Sequence, residues 1–396
     1  DSDGNPEAIP STSLLPQWNS LAFFEVKPGV SFHAVQEVFG ERPRLSIQGW
    51  HHAANPPENT EAATLSRLKT LEDVGEAYHD FPVGEEKNED YTELSDEDRT
   101  FLKQFINETY LSSESIQEIR EQFENDSSVQ LRKFLAPSLL SQIQKILSVE
   151  DDGGQDKAVL KYDEFATNGW KILGPAHKQR FLIYEGTTKT NNEKGVDNSA
   201  MGEILRQIKE DLFQTSAFGR FLMLVTSLGL PTGYRGRIRR FRPGLDYTVA
   251  HYGSLTIENS VLDATLCFCD GSGEQPHIDE ETGELTGSDS DAIWASGDCG
   301  GFECYIAAED EDDDDDDNDE HSADDEYKED ADTELLSVSA CNNTLSLVFR
   351  DPGTMRFIKY VGKQAPSSRW DVSMEYSVEE TIEEIISEEE SDSNNE

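Results

Sequence analysis

Residues 19–50 constrain the fold most, because short apolar runs and turn signals alternate there at the length of β-strands. The segment reads NSLAFFEVKPGVSFHAVQEVFGERPRLSIQGW. Its runs at 21–26, 31–38 and 44–50 are separated by the turn-forming strings KPG and GERP. β-branched and aromatic residues within these runs favour extended structure. We therefore predict three antiparallel strands near the start of the chain.

The same segment contains the candidate site residues. His33 lies on the second predicted strand, and Arg44 and Ser46 share one face of the third because side chains alternate along a strand. Oxygenases that use 2-oxoglutarate hold Fe(II) with two histidines and one carboxylate, and an arginine fork suits the carboxylate of the cosubstrate. This pattern predicts His33 as a metal ligand and Arg44 and Ser46 as cosubstrate-binding residues. The alternative is a core histidine beside a surface arginine.

The strings WNSLAFFEVKPGVSFHAVQEV and RPRLSIQGWHH resemble the ribosomal-protein prolyl hydroxylases of fungi and animals, and the resemblance runs through most of the chain. It implies two double-stranded β-helix (jelly-roll) domains, with Fe(II), 2-oxoglutarate and ascorbate as cofactors. It also implies prolyl hydroxylation of a small-subunit ribosomal protein, an effect on translation termination, and a location in nucleus and cytoplasm. By the resemblance, His33 would be the distal iron ligand and Arg44 the 2-oxoglutarate anchor.

One feature departs from that family. Its members carry an HxD pair of iron ligands on a strand well before the distal histidine, and no such strand precedes Trp18. We therefore expect an incomplete, N-terminally truncated first domain and no substrate turnover by the chain as given. The alternative hypothesis is a non-catalytic binding module for translation-termination factors, mRNA-associated factors or other basic proteins.

Charge and cysteine content limit the partners and the compartment. The 396 residues have a net charge of −48, which repels nucleic acid, so we expect basic proteins as partners and no direct nucleic-acid binding. No stretch reaches the length of a membrane span, so we expect no membrane contact. The five cysteines are an odd number without zinc spacing. We predict free, buried thiols in a reducing compartment.

The predicted fold class is mainly β with flanking helices (α+β), in two jelly-roll domains of which the first is incomplete. Helical spacing begins after a capping serine at Ser95 and recurs through residues 112–123, 131–147 and 200–225. Seven short strands are predicted within 247–376. The predicted divisions are the catalytic remainder at 1–52, a linker or surface excursion at 53–95, a helical connection at 96–230, a degenerate barrel at 231–377 with an acidic disordered insert at 308–333, and an acidic tail at 378–396.

The second set of strands looks like a copy of the first without its chemistry. Residues 343–349 align with 19–25, and residues 352–361 align with 28–38, which places Arg356 where His33 stands. Arginine stays protonated and cannot bind iron. Gly253, two residues after His251, occupies the place of the family's aspartate. We therefore predict a second domain that lacks a metal site.

Other charged and histidine-containing segments leave alternatives open. The basic string RGRIRRFR at 235–242 could bind an acidic partner or RNA, or it could balance nearby acidic charge. The literal HxD at His277 and Asp279 lies in a Gly-rich acidic loop, and we interpret it as coincidence. His51 and His52 are interpreted as exposed residues at a strand end. The acidic tracts are typical of solvated segments, with contact to a basic protein as the alternative.

Overall fold

The computed structural model of the protein describes residues 5–27, 30–40, 42–51, 77–82, 92–151, 161–186, 198–250, 260–274, 276, 287–307 and 334–378. These residues form helices along the first half of the chain and mostly strands along the second. The α-helices are α1 (Asp96–Leu102), α2 (Ser113–Asp126), α3 (Pro137–Glu150), α4 (Ala200–Ile208), α5 (Ser216–Thr226) and α6 (Asp289–Ser296). A 3₁₀-helix at Glu108–Leu111 and a π-helical turn at Lys209–Phe213 lie between them.

Side-chain caps set the start of the first two helices. The Ser95 hydroxyl accepts a hydrogen bond from the Asp98 N–H at 3.1 Å, and Ser112 caps α2 in the same way. The predicted cap at Ser95 is therefore confirmed. The prediction of helix from Leu131 onward is wrong for its first residues. That part belongs to a strand, because Leu131 alternates with polar neighbours and pairs with a strand near the end of the chain.

The strands pair antiparallel, and most of them lie in the second half of the chain. They are β1 (His79–Asp80), β2 (Ser128–Arg132), β3 (Trp170–Leu173), β4 (Gln179–Tyr184), β5 (Gly233–Phe241), β6 (Tyr247–Thr248), β7 (Val261–Phe268), β8 (Glu303–Ala307), β9 (Glu334–Val338), β10 (Thr344–Arg350), β11 (Thr354–Ile358) and β12 (Arg369–Ser377). All seven strands that the sequence predicts between residues 247 and 376 are present. The predicted class, mainly β with flanking helices, is confirmed.

Strands β5 to β12 form a jelly roll of two sheets. One sheet has the order β10-β7-β12-β5 and the other has the order β9-β8-β11. β6 lies beside β11, where the Ile358 N–H donates to the Thr248 hydroxyl at 2.6 Å. Apart from β8 and β9, which pair with each other, strands that are consecutive in the chain thus alternate between the two sides of the barrel, as in other jelly rolls. We call this unit the barrel.

Segments before the barrel enlarge its first sheet. β2 pairs with β10, β4 pairs with β5, and β3 and β1 add further edges; with β6, which also pairs with β4, the sheet has nine strands. The predicted helical connection at 96–230 therefore also supplies three strands. The helices cover the outer face of this sheet and share one apolar core with it, which includes Phe218, Phe221 and Trp370. The sheet is consequently buried on both faces.

The described residues between 5 and 51 form no helix or strand. The prediction of three strands there is wrong for this chain. The apolar side chains that those strands would bury are exposed, with Leu21, Leu45 and Ile47 almost fully accessible. A strand needs a partner for its backbone groups and a surface for its apolar face, and the described part of the chain provides neither at these residues.

No helix of the described ranges has both the length and the hydropathy required to cross a bilayer. All five cysteines are described, and each is a free, buried thiol, as the sequence predicts.

Candidate functional site

The predicted metal ligand His33 lies in the exposed N-terminal segment. Its Nδ1 is 3.0 Å from the Ser31 carbonyl oxygen, and its ring contacts Phe24 edge-on at a centroid distance of 5.0 Å. Trp50 lies nearby at 6.4 Å. His33 is thus set among aromatic side chains at the surface, which differs from both the predicted strand position and the alternative of a core histidine.

The predicted cosubstrate residues Arg44 and Ser46 are also exposed. Within the described ranges there is no group of three or more His, Cys, Asp or Glu side chains that could hold a metal ion. An iron site of two histidines and one carboxylate therefore does not fit the described residues. The related predictions for His251 and for the string from His277 to Asp279 lie outside the described residues, as do His52, the insert at 308–333 and most of the acidic tail.

The inner face of the barrel has a different chemical character from its outer face. Along β7 the residues Leu262, Ala264, Leu266 and Phe268 join the core under the helices, so Asp263 and Thr265 face the interior. β12 follows the same rule, with Trp370, Val372, Met374 and Tyr376 outward. Its inward residues include Asp371, Ser373 and Glu375. The interior of the barrel therefore receives polar and charged side chains from neighbouring strands.

Arg356 lies at the centre of this interior, on β11. Its Nε donates to Glu303 Oε1 at 2.5 Å, and its Nη1 donates to Asp263 Oδ1 at 3.0 Å. Its Nη2 donates to the hydroxyls of Thr265 and Ser373 at 2.6 and 3.0 Å. Every guanidinium nitrogen thus has a partner on a different strand from its own. Arg356 connects the two sheets of the barrel through charged hydrogen bonds.

Further ion pairs extend from the two carboxylates that bind Arg356. Arg350 donates from Nε to Asp263 at 2.8 Å, and Arg239 and Arg369 lie 3.9 and 3.8 Å from Glu303. Burial disfavours the charged form of Glu303, but the positive charge of Arg356 and of the other arginines outweighs burial and holds its pKa below the ordinary value. Glu303 is therefore ionised and fully engaged inside the barrel.

Two more acidic residues complete the arrangement. Asp371 accepts from Arg239 at 2.7 Å, and Glu375 accepts from Arg235 at 2.6 Å. Burial raises the pKa of Glu375, but the charges of Arg350 and Arg235 lower it from 4.5 to about 2. We call the set of Asp263, Glu303, Asp371 and Glu375 with the arginines that bind them the barrel charge network.

The barrel charge network determines what this interior can do. A guanidinium has no lone pair for a metal ion, and the carboxylates that could serve as ligands already bind arginine. In the alignment of the two strand sets, Arg356 stands at the place of His33. The structure puts this arginine on an inward-facing strand position, where it binds carboxylates. The interior is thus an internal ion-pair cluster, and the described residues offer no metal site in it.

The basic string at 235–242 is part of the same arrangement. Arg235 and Arg239 bind Glu375 and Asp371, Arg240 binds Asp151 at 3.0 Å, and Arg242 binds Asp246 at 2.7 Å. These arginines therefore balance acidic charge within the domain. Their acidic partners lie on an adjacent strand, in a turn and in the residue after α3, so the alternative of charge balance agrees with the structure.

Sequence reasoning missed the acidic members of this interior. A signal for them exists in the strings VLDATLCF at 261–268 and RWDVSMEYS at 369–377, where charged or hydroxyl residues occupy alternate positions between apolar ones. On a strand covered on both sides, that alternation places charge in a buried interior. Buried carboxylates require buried cations, so the arginines of β5 are their natural partners.

Comparison with known proteins assigns the family. Residues 97–384 match the family described as oxoglutarate and iron-dependent oxygenase degradation C-term. The chain belongs to this family. Residues 1–52 match the 2OG-Fe(II) oxygenase superfamily. The matched residues include the exposed segment that carries His33, Arg44 and Ser46. Fe(II) and 2-oxoglutarate are the cofactors that this superfamily implies.

Curated relatives resemble nearly the whole chain. The prolyl 3,4-dihydroxylase OGFOD1 of Ostreococcus tauri is 35% identical over 94% of this chain. The prolyl 3-hydroxylases OGFOD1 of Xenopus laevis and Mus musculus are 27% and 26% identical over 92% and 89% of it. The chain covers 66%, 59% and 60% of these three relatives, which is less than two thirds of each. The predicted family resemblance is confirmed.

Proposed function

We propose that this chain is part of a prolyl hydroxylase that uses Fe(II) and 2-oxoglutarate. The observation that carries the proposal is its similarity to prolyl 3- and 3,4-hydroxylases over about nine tenths of its length, together with the superfamily match at residues 1–52. His33 would bind iron, Arg44 would bind the cosubstrate carboxylate, and Ser46 would add a hydrogen bond to it. The metal and cosubstrate would supply the oxidising chemistry, with ascorbate as reductant.

The proposed substrate is a proline of a small-subunit ribosomal protein, with an effect on translation termination and a location in nucleus and cytoplasm. The resemblance of residues 18–52 to ribosomal-protein prolyl hydroxylases motivates this choice. The net charge of −48 supports it, because ribosomal proteins are basic and an acidic surface attracts them.

The test is hydroxylation by the protein as its gene encodes it. The assay combines Fe(II), 2-oxoglutarate, ascorbate and a proline-containing peptide of the ribosomal protein, and it measures succinate together with the addition of one oxygen to the peptide. We expect His33→Ala to abolish both products and Arg44→Lys to raise KM for 2-oxoglutarate. Val35→Ala, at an exposed neighbour, is the matched control and should retain activity. Unchanged activity in His33→Ala would refute the proposal.

For residues 1–396 alone we propose no turnover, because the described residues do not assemble an iron site. Fe(II)-dependent succinate formation from this chain without any additional segment would contradict that part of the proposal while leaving the hydroxylase assignment intact.

A second candidate function is a binding module for basic proteins such as translation-termination factors. The filled interior of the barrel favours it, because an interior occupied by the barrel charge network leaves the exposed surface of the chain as the available binding site. Its test is binding of the chain to purified termination factors at increasing salt. An acidic surface predicts affinity that falls as salt screens the charges, and salt-independent affinity would count against it.

A further inference from the structure

Three residues of the N-terminal segment, Glu37, Val38 and Phe39, are held by two loops of the barrel. Glu37 Oε2 accepts from the Lys363 N–H at 2.9 Å and from the Tyr360 hydroxyl at 3.2 Å. Lys363 Nζ donates to the Val38 carbonyl oxygen at 2.6 Å. In a segment that is otherwise mainly exposed, Glu37 and Phe39 are half-buried. We call the receiving residues, 242–246 and 359–363, the socket.

Glycine is required where the Phe39 ring enters the socket. Gly244 has φ +74°, and a Cβ built on it would overlap the ring. The close approach of the ring therefore depends on the missing side chain, as does the left-handed backbone. The turn also receives support from the loop opposite, since the Gly244 N–H donates to the Val361 carbonyl oxygen at 2.8 Å.

The socket is rigid because buried contacts hold both of its loops. Arg242 and Asp246, which flank the turn, form a fully buried ion pair at 2.7 Å. The Val361 N–H donates to the Asp246 carbonyl oxygen at 3.0 Å, and the Gly362 N–H donates to Cys299 at 2.7 Å. A site whose own groups are fixed in this way loses little conformational entropy when it binds a peptide.

A second contact lies on the other side of His33. The Phe32 ring stacks on His177 at a centroid distance of 6.3 Å and an interplanar angle of 15°. His177 lies in the turn between β3 and β4, whose Ala176 N–H also donates to the Pro6 carbonyl oxygen at 3.4 Å. The turn between β3 and β4 thus holds the chain just before His33, and the socket holds it again four residues after His33. Residues 33–36 between the two contacts are exposed.

We infer that the socket, together with the stack on His177, positions the exposed residues 33–36 and with them His33. The second domain then acts as a rigid holder for part of the first. The role of His33 as an iron ligand rests on the proposed function. The contacts that hold the segment do not depend on that function. Glu37, Phe39 and Gly244 are positioning residues in this account.

The experiment measures amide hydrogen exchange of the full chain by mass spectrometry, without metal or substrate. Glu37→Ala removes the acceptor for Lys363 and Tyr360, so we expect the peptide covering 359–364, which contains the Lys363 N–H, to exchange about tenfold faster, as loss of a charged hydrogen bond implies. Phe39→Ala should give the same pattern. Glu37→Gln keeps a carbonyl acceptor and should restore protection. Val35→Ala is the matched control and should match the parent chain.

Exchange in β7 separates local release from unfolding, because that strand is buried throughout. If Glu37→Ala and Phe39→Ala leave the exchange of 359–364 at the parent value, the inference is wrong. Faster exchange in β7 as well would show that the variant unfolds, and the local-release inference would then fail for that variant. Lys363→Ala, which removes only the contact to Val38, then provides the second test. A negative hydroxylation assay would refute the proposed function without changing any of these exchange results.

Discussion

The N-terminal segment and the barrel contain similar short apolar runs, yet only the barrel forms strands. Each barrel strand pairs with a neighbour, most of them bury at least one face, and Phe218 under the sheet has no exposed surface. Phe23 in the N-terminal segment is 80% exposed. An alternating pattern becomes a strand only where neighbouring strands satisfy its backbone and other elements cover its apolar face.

The two regions also differ at the positions that the sequence alignment equates. His33 is exposed and contacts aromatic rings, whereas Arg356 is held by carboxylates and hydroxyls from several strands. The barrel uses that position to join its two sheets. The difference predicts that substitutions of equal size have unequal effects in the two regions.

Removing the guanidinium of Arg356 should have the largest effect. In Arg356→Met, Glu303 and Asp263 lose a charged partner in a buried interior, and we expect a loss of about 3–5 kcal/mol in the free energy of unfolding. Urea denaturation followed by circular dichroism measures it. Lys145→Met is the control, because Lys145 is exposed on α3 without an ion pair to any described residue, and its effect should stay within about 0.5 kcal/mol. Equal effects of the two variants would remove the distinction between a filled interior and an ordinary surface.

A pair of phenylalanine substitutions tests the burial difference directly. Phe218→Ala leaves a cavity in the core beneath the sheet and should lower the free energy of unfolding by about 3–5 kcal/mol. Phe23→Ala removes an exposed ring and should change it by less than about 0.5 kcal/mol. Thermal and urea unfolding of both variants provide the measurement. A large loss in Phe23→Ala would show that the N-terminal segment is packed more tightly than its exposure indicates.

Acid should weaken the barrel through Glu375. Its pKa falls from 4.5 to about 2 on folding, so its contribution is complete above pH 4.5 and is lost as the pH falls toward 2. The contribution is at most about 3–4 kcal/mol, because one pKa unit corresponds to about 1.4 kcal/mol. Urea midpoints between pH 2 and 5 measure the dependence. Glu375→Gln should flatten it, and an unchanged slope in that variant would show that Glu375 does not carry it.

Much of the barrel was predictable from sequence, because its strands are short, β-rich and separated by turn residues. The absence of a histidine at Arg356 was also visible, and it led to the prediction of a second domain without a metal site. Partners were not visible. The string RGRIRRFR contains no local signal for its partners. Asp371 and Glu375 lie opposite it although they come more than a hundred residues later, because strand register is set by the whole sheet.

The site prediction depended on context that the described residues do not supply. His33, Arg44 and Ser46 were placed by assuming three paired strands, and the segment from 19 to 50 has no strand partner within the described part of the chain. Local pattern gave the correct superfamily for residues 1–52. It could not give the fold of that segment, because pairing is a long-range property.

The most direct test of a barrel filled by its own charges is a double-mutant cycle between Arg356 and Glu303. Urea unfolding is measured for the parent chain, Arg356→Met, Glu303→Gln and the double variant. If the two groups bind each other inside the barrel, the double variant loses less stability than the two single losses combined, by about 1–3 kcal/mol. Losses that add to within about 0.5 kcal/mol would contradict the account, because uncoupled groups cannot form the centre of the barrel charge network.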